Sequence, residues 1–89
     1  MVAKHIIFVG RVQGVGFRFT AYTIANRYQL IGFVRNVPDG SVEMLAQANP
    51  EDIASCIEEI KDSFTGYIRE TRIDEVSPNP KYTDFRITF

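Results

Sequence analysis

Residues 10–18 read GRVQGVGFR, three glycines and two arginines in nine positions, set directly after the apolar run HIIFV at 5–9. Residues 3–9, rich in Ile, Phe and Val and closed by Gly10, have the pattern of a buried strand. From Phe17 the period changes, because Phe17, Ala21, Ile24, Ala25 and Tyr28 recur on a single helical face. The glycine stretch is therefore a strand-to-helix hand-over, and the rest of the fold is arranged around it.

Beyond that helix, IGFVRNV at 31–37 and SVEMLAQA at 41–48 flank the turn signal PDG, whose proline fixes φ and whose glycine permits a reversal. Val42, Met44 and Ala46 alternate with Glu43 and Gln47, so the pair predicts a hairpin with one buried face. NPED at 49–52 then offers Asn49 as an N-cap, Pro50 at the first helical position and two acids in the first turn. Ile53, Ile57, Ile60 and Phe64 continue at helical spacing until Gly66. YIRETRIDEV at 67–76 is highly charged, but its β-branched residues and the SPNP cluster after it predict a strand with one solvated face. The end, TDFRITF, sets Phe85, Ile87 and Phe89 on one side of a closing strand.

This order is the split βαβ arrangement. It predicts an α+β, ferredoxin-like βαββαβ sandwich in which two helices cover one face of an antiparallel sheet, with an extra C-terminal strand. Residues 1–89 are expected to form a single domain, since 89 residues leave little room for a second.

Composition narrows the function. A formal net charge of −1, with basic residues spread along the chain, argues against nucleic-acid binding, which needs a basic face. The single cysteine, Cys56, excludes an internal disulfide or a CxxC pair, and its neighbours Ile53, Ile57 and Ile60 make it a small core residue. No apolar run approaches the roughly 20 residues that span a bilayer. MVAKHIIFVG lacks the features of a cleaved leader, so a cytoplasmic protein is expected.

One stretch carries chemistry on its residues alone. Gly14 and Gly16 are able to adopt positive φ, which turns successive amides inward as an anion nest at the positive end of the following helix. Arg18 would add a planar fork for two phosphate oxygens. Spacing alone leaves a plain alternative ahead, in which the glycines make a tight turn and Arg18 is solvated. The pattern matches neither the GxxxxGK[ST] nucleotide loop nor the dinucleotide fingerprint.

The combination of GRVQGVGFR with GFVRNVPDGSVE at 32–43 resembles the pair of motifs that defines the acylphosphatase family, and the similarity runs over essentially the whole chain. The resemblance implies hydrolysis of the carboxyl-phosphate bond of acyl phosphates, without metal or cofactor. By motif position it implies that Arg18 binds the phosphate and that Asn36 orients the attacking water. The amides around Gln13, Gly14, Val15, Gly16 and Phe17 would hold phosphate oxygens. Two departures touch loop detail only: Ala48 stands where a glycine is common, and YIRETRIDEV is more charged than the usual segment.

So sparse a site suits this reaction. The departing carboxylate has a conjugate acid of pKa about 4, so it leaves without a proton at neutral pH. Asn36 is too weak a base to take a proton, but its amide can aim a water. His5 reads as a strand-face side chain, while Glu51, Asp52, Glu58 and Glu59 read as capping and solvated residues. Arg11 and Arg35 either raise the local potential or project into solvent. Two rivals are a noncatalytic phosphate- or carbamoyl-phosphate-binding module and an RNA-binding domain. The first is disfavoured by a chain that starts and ends with this domain, the second by a missing RNP pattern and basic face. The expected partner is a small-molecule acyl phosphate met by a monomer, with no nucleic acid and no membrane.

Overall fold

A computed structural model describes all residues, Met1–Phe89. The chain runs β1 (Val2–Gly10), α1 (Phe17–Arg27), β2 (Ile31–Asn36), β3 (Val42–Ala48), α2 (Pro50–Ser63), β4 (Ile68–Val76) and β5 (Phe85–Thr88). The local signals account for most of these bounds. Asn49 caps α2, its side chain accepting from the Asp52 amide at 3.0 Å, with Pro50 behind it and Glu51 and Asp52 in the first turn. Between β2 and β3, the Val37 amide donates to the Ser41 carbonyl at 2.9 Å, and Asp39 accepts from both the Ser41 amide and hydroxyl.

The strands lie in the order β4-β1-β3-β2-β5. Four of them pair antiparallel as expected, but β5 pairs parallel to β2, so the sheet is mixed rather than antiparallel throughout. The reason lies in where β4 stops. Val76 ends level with Ala3, whose β3 partner Gln47 also faces Ile31, the first residue of β2. A chain crossing the sheet at that end reaches the free edge of β2 pointing in the direction of β2 itself.

Both helices pack on one face, over Ile6 and Phe8 of β1, Val34 of β2, and Val42, Met44 and Ala46 of β3. They contribute Phe17, Ala21, Ile24 and Ala25 from α1 and Ile53, Cys56, Ile57 and Ile60 from α2. Phe17 stands between Phe8 and Phe64, with ring centroids 5.0 and 4.5 Å away. The first turn of α1 is thereby fixed to the core. Cys56 is buried there, and burial pushes its thiol pKa up to about 12.

Three details depart from the simple alternation. Gln47 is only 2% exposed, because the segment after β4 folds over it: its Nε2 donates to the Asn79 carbonyl at 3.1 Å and its Oε1 accepts from the Asn79 amide at 2.6 Å. Strand β4 is solvated on both faces apart from half-buried Ile68 and Thr71, since it forms the sheet edge. Phe85 is 3% exposed whereas Phe89 is 92% exposed, the strand having ended at Thr88.

Candidate active site

The loop from Arg11 to Gly16 leaves the end of β1 and enters α1 beneath the β2–β3 turn. Val12 is buried and pins its start. Gly14 and Gly16 have φ of +77° and +79°, in the left-handed region where a side chain is costly. Gly16 is the N-cap of α1 and supplies no side-chain cap, and no acid stands in the first turn. Helix α2 has both. The positive end of α1 is therefore uncompensated.

Arg11 donates its amide to the Tyr67 carbonyl at 2.9 Å, and Thr20 donates to the Gly16 carbonyl at 3.1 Å. Between them, no amide from Val12 to Phe19 donates a hydrogen bond within the chain. Unpaired amides gathered at a helix start form an anion-binding concavity.

Arg18, in the first turn, is half-buried and has no carboxylate within salt-bridge distance. Arg27, Arg35, Arg72 and Arg86 are each paired with one. Its guanidinium is held from the side instead: Nη1 donates to the Thr88 carbonyl at 3.5 Å, and the group lies 5.1 Å from the centre of the Phe89 ring. A cation over an aromatic face keeps its charge and its direction. Asn36, the last residue of β2, borders the same hollow as Arg18.

Gly14, Gly16, Phe17, Arg18 and Asn36 line one hollow of about 310 Å³, together with Val12, Phe19, Ile87 and Phe89. Two of the residues singled out by motif lie outside this lining. Val15 projects to the surface between the two glycines. Gln13 turns away, its Nε2 donating to the Val37 carbonyl at 2.7 Å and to the Ser41 carbonyl at 2.9 Å. That side chain ties the loop to the hairpin bearing Asn36, a role the motif did not disclose.

The C-terminal contribution has no signal in either motif. Ile87 and Thr88 pair in register with Val34 and Arg35, which carries the chain end to the mouth of the hollow. Arg11 and Arg35 do not line it. Arg11 lies over the Tyr67 ring, 5.2 Å from its centre, and Arg35 is on the open face of the sheet, bonded to Glu43. There Glu43 also meets His5 Nε2 at 2.6 Å, so His5 is a strand-face partner. Burial pushes the Glu43 carboxyl up, but the hydrogen bonds from His5 and Arg35 outweigh it and hold the group below the usual carboxylate range.

The lining contains one cation and one neutral amide, and no carboxyl, imidazole, thiol or hydroxyl side chain. No group of three or more His, Cys, Asp or Glu residues is placed to hold a metal ion, and no helix is long and apolar enough to cross a membrane. The class this defines is an α+β domain with a concave site for an anion, in which unpaired amides and an arginine without a carboxylate border one hollow.

Comparison with known proteins makes that class particular. The Acylphosphatase family model matches residues 4–87. Acylphosphatase of Picrophilus torridus is 41% identical over 83 residues, covering 93% of this chain and 98% of its own. That of Petrotoga mobilis is 40% identical over 90 residues, covering 100% of both chains. The crystal structure of acylphosphatase from Bacillus subtilis superposes with a TM-score of 0.92 at 33% identity, again covering 100% of both. The chain belongs to the acylphosphatase family, whose reaction is hydrolysis of acyl phosphates, and the noncatalytic binding-module reading is not favoured.

Proposed function

We propose that the hollow works by dividing labour between Arg18 with the loop amides, which hold the phosphoryl group, and Asn36, which aims water at phosphorus. The observation that supports this division is the meeting of an arginine without a carboxylate, an uncommitted amide side chain and a run of unpaired backbone donors in one hollow. Amides around Gln13, Gly14, Val15, Gly16 and Phe17 and the fork of Arg18 spread positive charge over the equatorial oxygens, where phosphoryl transfer needs it.

Asn36 accepts a hydrogen bond from the water and sets its approach in line with the bond to be broken. The water oxygen bonds to phosphorus as the phosphorus–acyl oxygen bond breaks, and the electron pair leaves with the carboxylate. The proton of the water passes to a phosphoryl oxygen of the substrate itself. No general acid is needed, because the leaving carboxylate is weakly basic. In this reading, residues 1–89 act as a single-domain monomer in the cytoplasm and meet a small-molecule acyl phosphate.

The test compares benzoyl phosphate with para-nitrophenyl phosphate in the presence of a chelator. Turnover of the acyl phosphate, with the monoester at least a hundredfold slower, is expected. Equal turnover of both, or none by folded protein, overturns the reading.

A further inference from the structure

The acyl group is bonded through oxygen to the phosphoryl group, so the part of the hollow that the phosphoryl nest leaves free lies within its reach. Past the glycines, Arg18 and Asn36, the remaining lining is Val12, Phe17, Phe19, Ile87 and Phe89. Val12 and Phe17 belong to the core, while the exposed part is a rim of Phe19, 68% exposed, and Phe89, 92% exposed, with half-buried Ile87.

Neither phenylalanine is buried in the core, although the Phe89 ring also lies against the Arg18 guanidinium. The buried face of α1 is Phe17, Ala21, Ile24 and Ala25, and Phe19 is off that face, at a position where helix periodicity calls for a polar residue. Phe89 lies beyond the last residue of β5. Both are exposed apolar groups that nonetheless border the same hollow. Exposed aromatic surface gathered at a concave site marks a ligand contact. The lining also holds no cation other than Arg18, so a second negative charge on the acyl chain has no partner there.

We propose that this site selects acyl phosphates whose acyl group is aromatic or an extended alkyl chain over short or charged ones, with Phe19 and Phe89 as the acyl-binding rim. The inference rests on the phosphoryl assignment made above and adds the chemistry of the leaving half. Partial burial of a few methylenes against an open rim corresponds to about a tenfold preference.

The experiment measures kcat/KM for acetyl, hexanoyl and adipoyl phosphates. All three release aliphatic carboxylates of similar basicity, so the bond-breaking step is matched and the difference reports contact. Hexanoyl phosphate is expected to exceed acetyl phosphate about tenfold. Adipoyl phosphate, a chain of the same length ended by a carboxylate, should lose that gain. In Phe19→Ala the hexanoyl-to-acetyl ratio should fall to about threefold or less, a readout internal to each protein. A ratio near one in the unaltered protein, or one that survives both Phe19→Ala and Phe89→Ala, overturns the rim and leaves the phosphoryl reading standing. Absence of turnover with all three substrates overturns both.

Discussion

Arg18 keeps its charge available because its neighbours hold it without neutralising it. A carbonyl from Thr88 and the ring of Phe89 fix the guanidinium, where a carboxylate would compete with a phosphate for the same fork. Glu43 shows the contrasting case of a charge fully engaged. It joins β1, β2 and β3 through His5 and Arg35, and its carboxyl is held below its usual value of 4.5. A carboxyl depressed in the folded state adds stability above its unfolded pKa and loses it as pH falls through the folded value. Glu43→Gln is therefore expected to melt a few degrees below the unaltered protein at pH 7, with the gap narrowing as pH falls below the usual carboxylate value and closing once the folded-state carboxyl is protonated. Thermal melts across that range check it, and a constant gap would contradict it. Of the residues that border the hollow, the motifs point to Arg18 and Asn36. Gln13 Nε2, Thr88 and Phe89 stayed hidden, since their parts depend on contacts across 24, 70 and about 71 positions of chain.

Among the elements, α2 and the β2–β3 hairpin are legible because cap, turn and period agree locally in each. The loop before α1 is legible in a different way. Its glycines announce positive φ, but only the unpaired amides of the folded loop show where the donors are left free. Gly16→Ala tests this. A Cβ at Gly16 meets nothing within 4 Å, so the cost is conformational, about 1 kcal/mol for left-handed backbone. For a domain of this size that lowers Tm by about 4–8 °C. Inorganic phosphate should inhibit the variant more weakly, and an unchanged Tm would show that the loop does not need this conformation. Strand β5 illustrates the limit of periodicity. Alternation in FRIT is the same for parallel and antiparallel partners, so its direction follows only from where β4 ends and from the crossing at Gln47 and Asn79.

At the scale of the whole molecule, the sheet order places β1 and β2 on either side of β3, and the site is assembled across that span. The loop after β1, the end of β2 and the chain terminus on β5 meet at one end of the helical face. Phe17 connects this end to the core through Phe8 and Phe64, so the nest stands on packed aromatic rings rather than on a free loop. The overall βαββαβ order follows from pattern and turn chemistry, whereas the convergence of three distant segments does not.

One set of kinetics on Asn36→Ala tests the proposed division between binding and water placement: kcat for benzoyl phosphate together with the inhibition constant for inorganic phosphate. The proposed division assigns the amide to the water and not to the phosphoryl group, so the expected result is a fall in kcat of about a hundredfold with phosphate inhibition within about threefold of the unaltered protein. Arg18→Lys should do the opposite at the binding step, weakening phosphate inhibition as a point charge replaces the fork. Equal loss of turnover and phosphate inhibition in Asn36→Ala, or full activity in that variant, would rule out this division of roles.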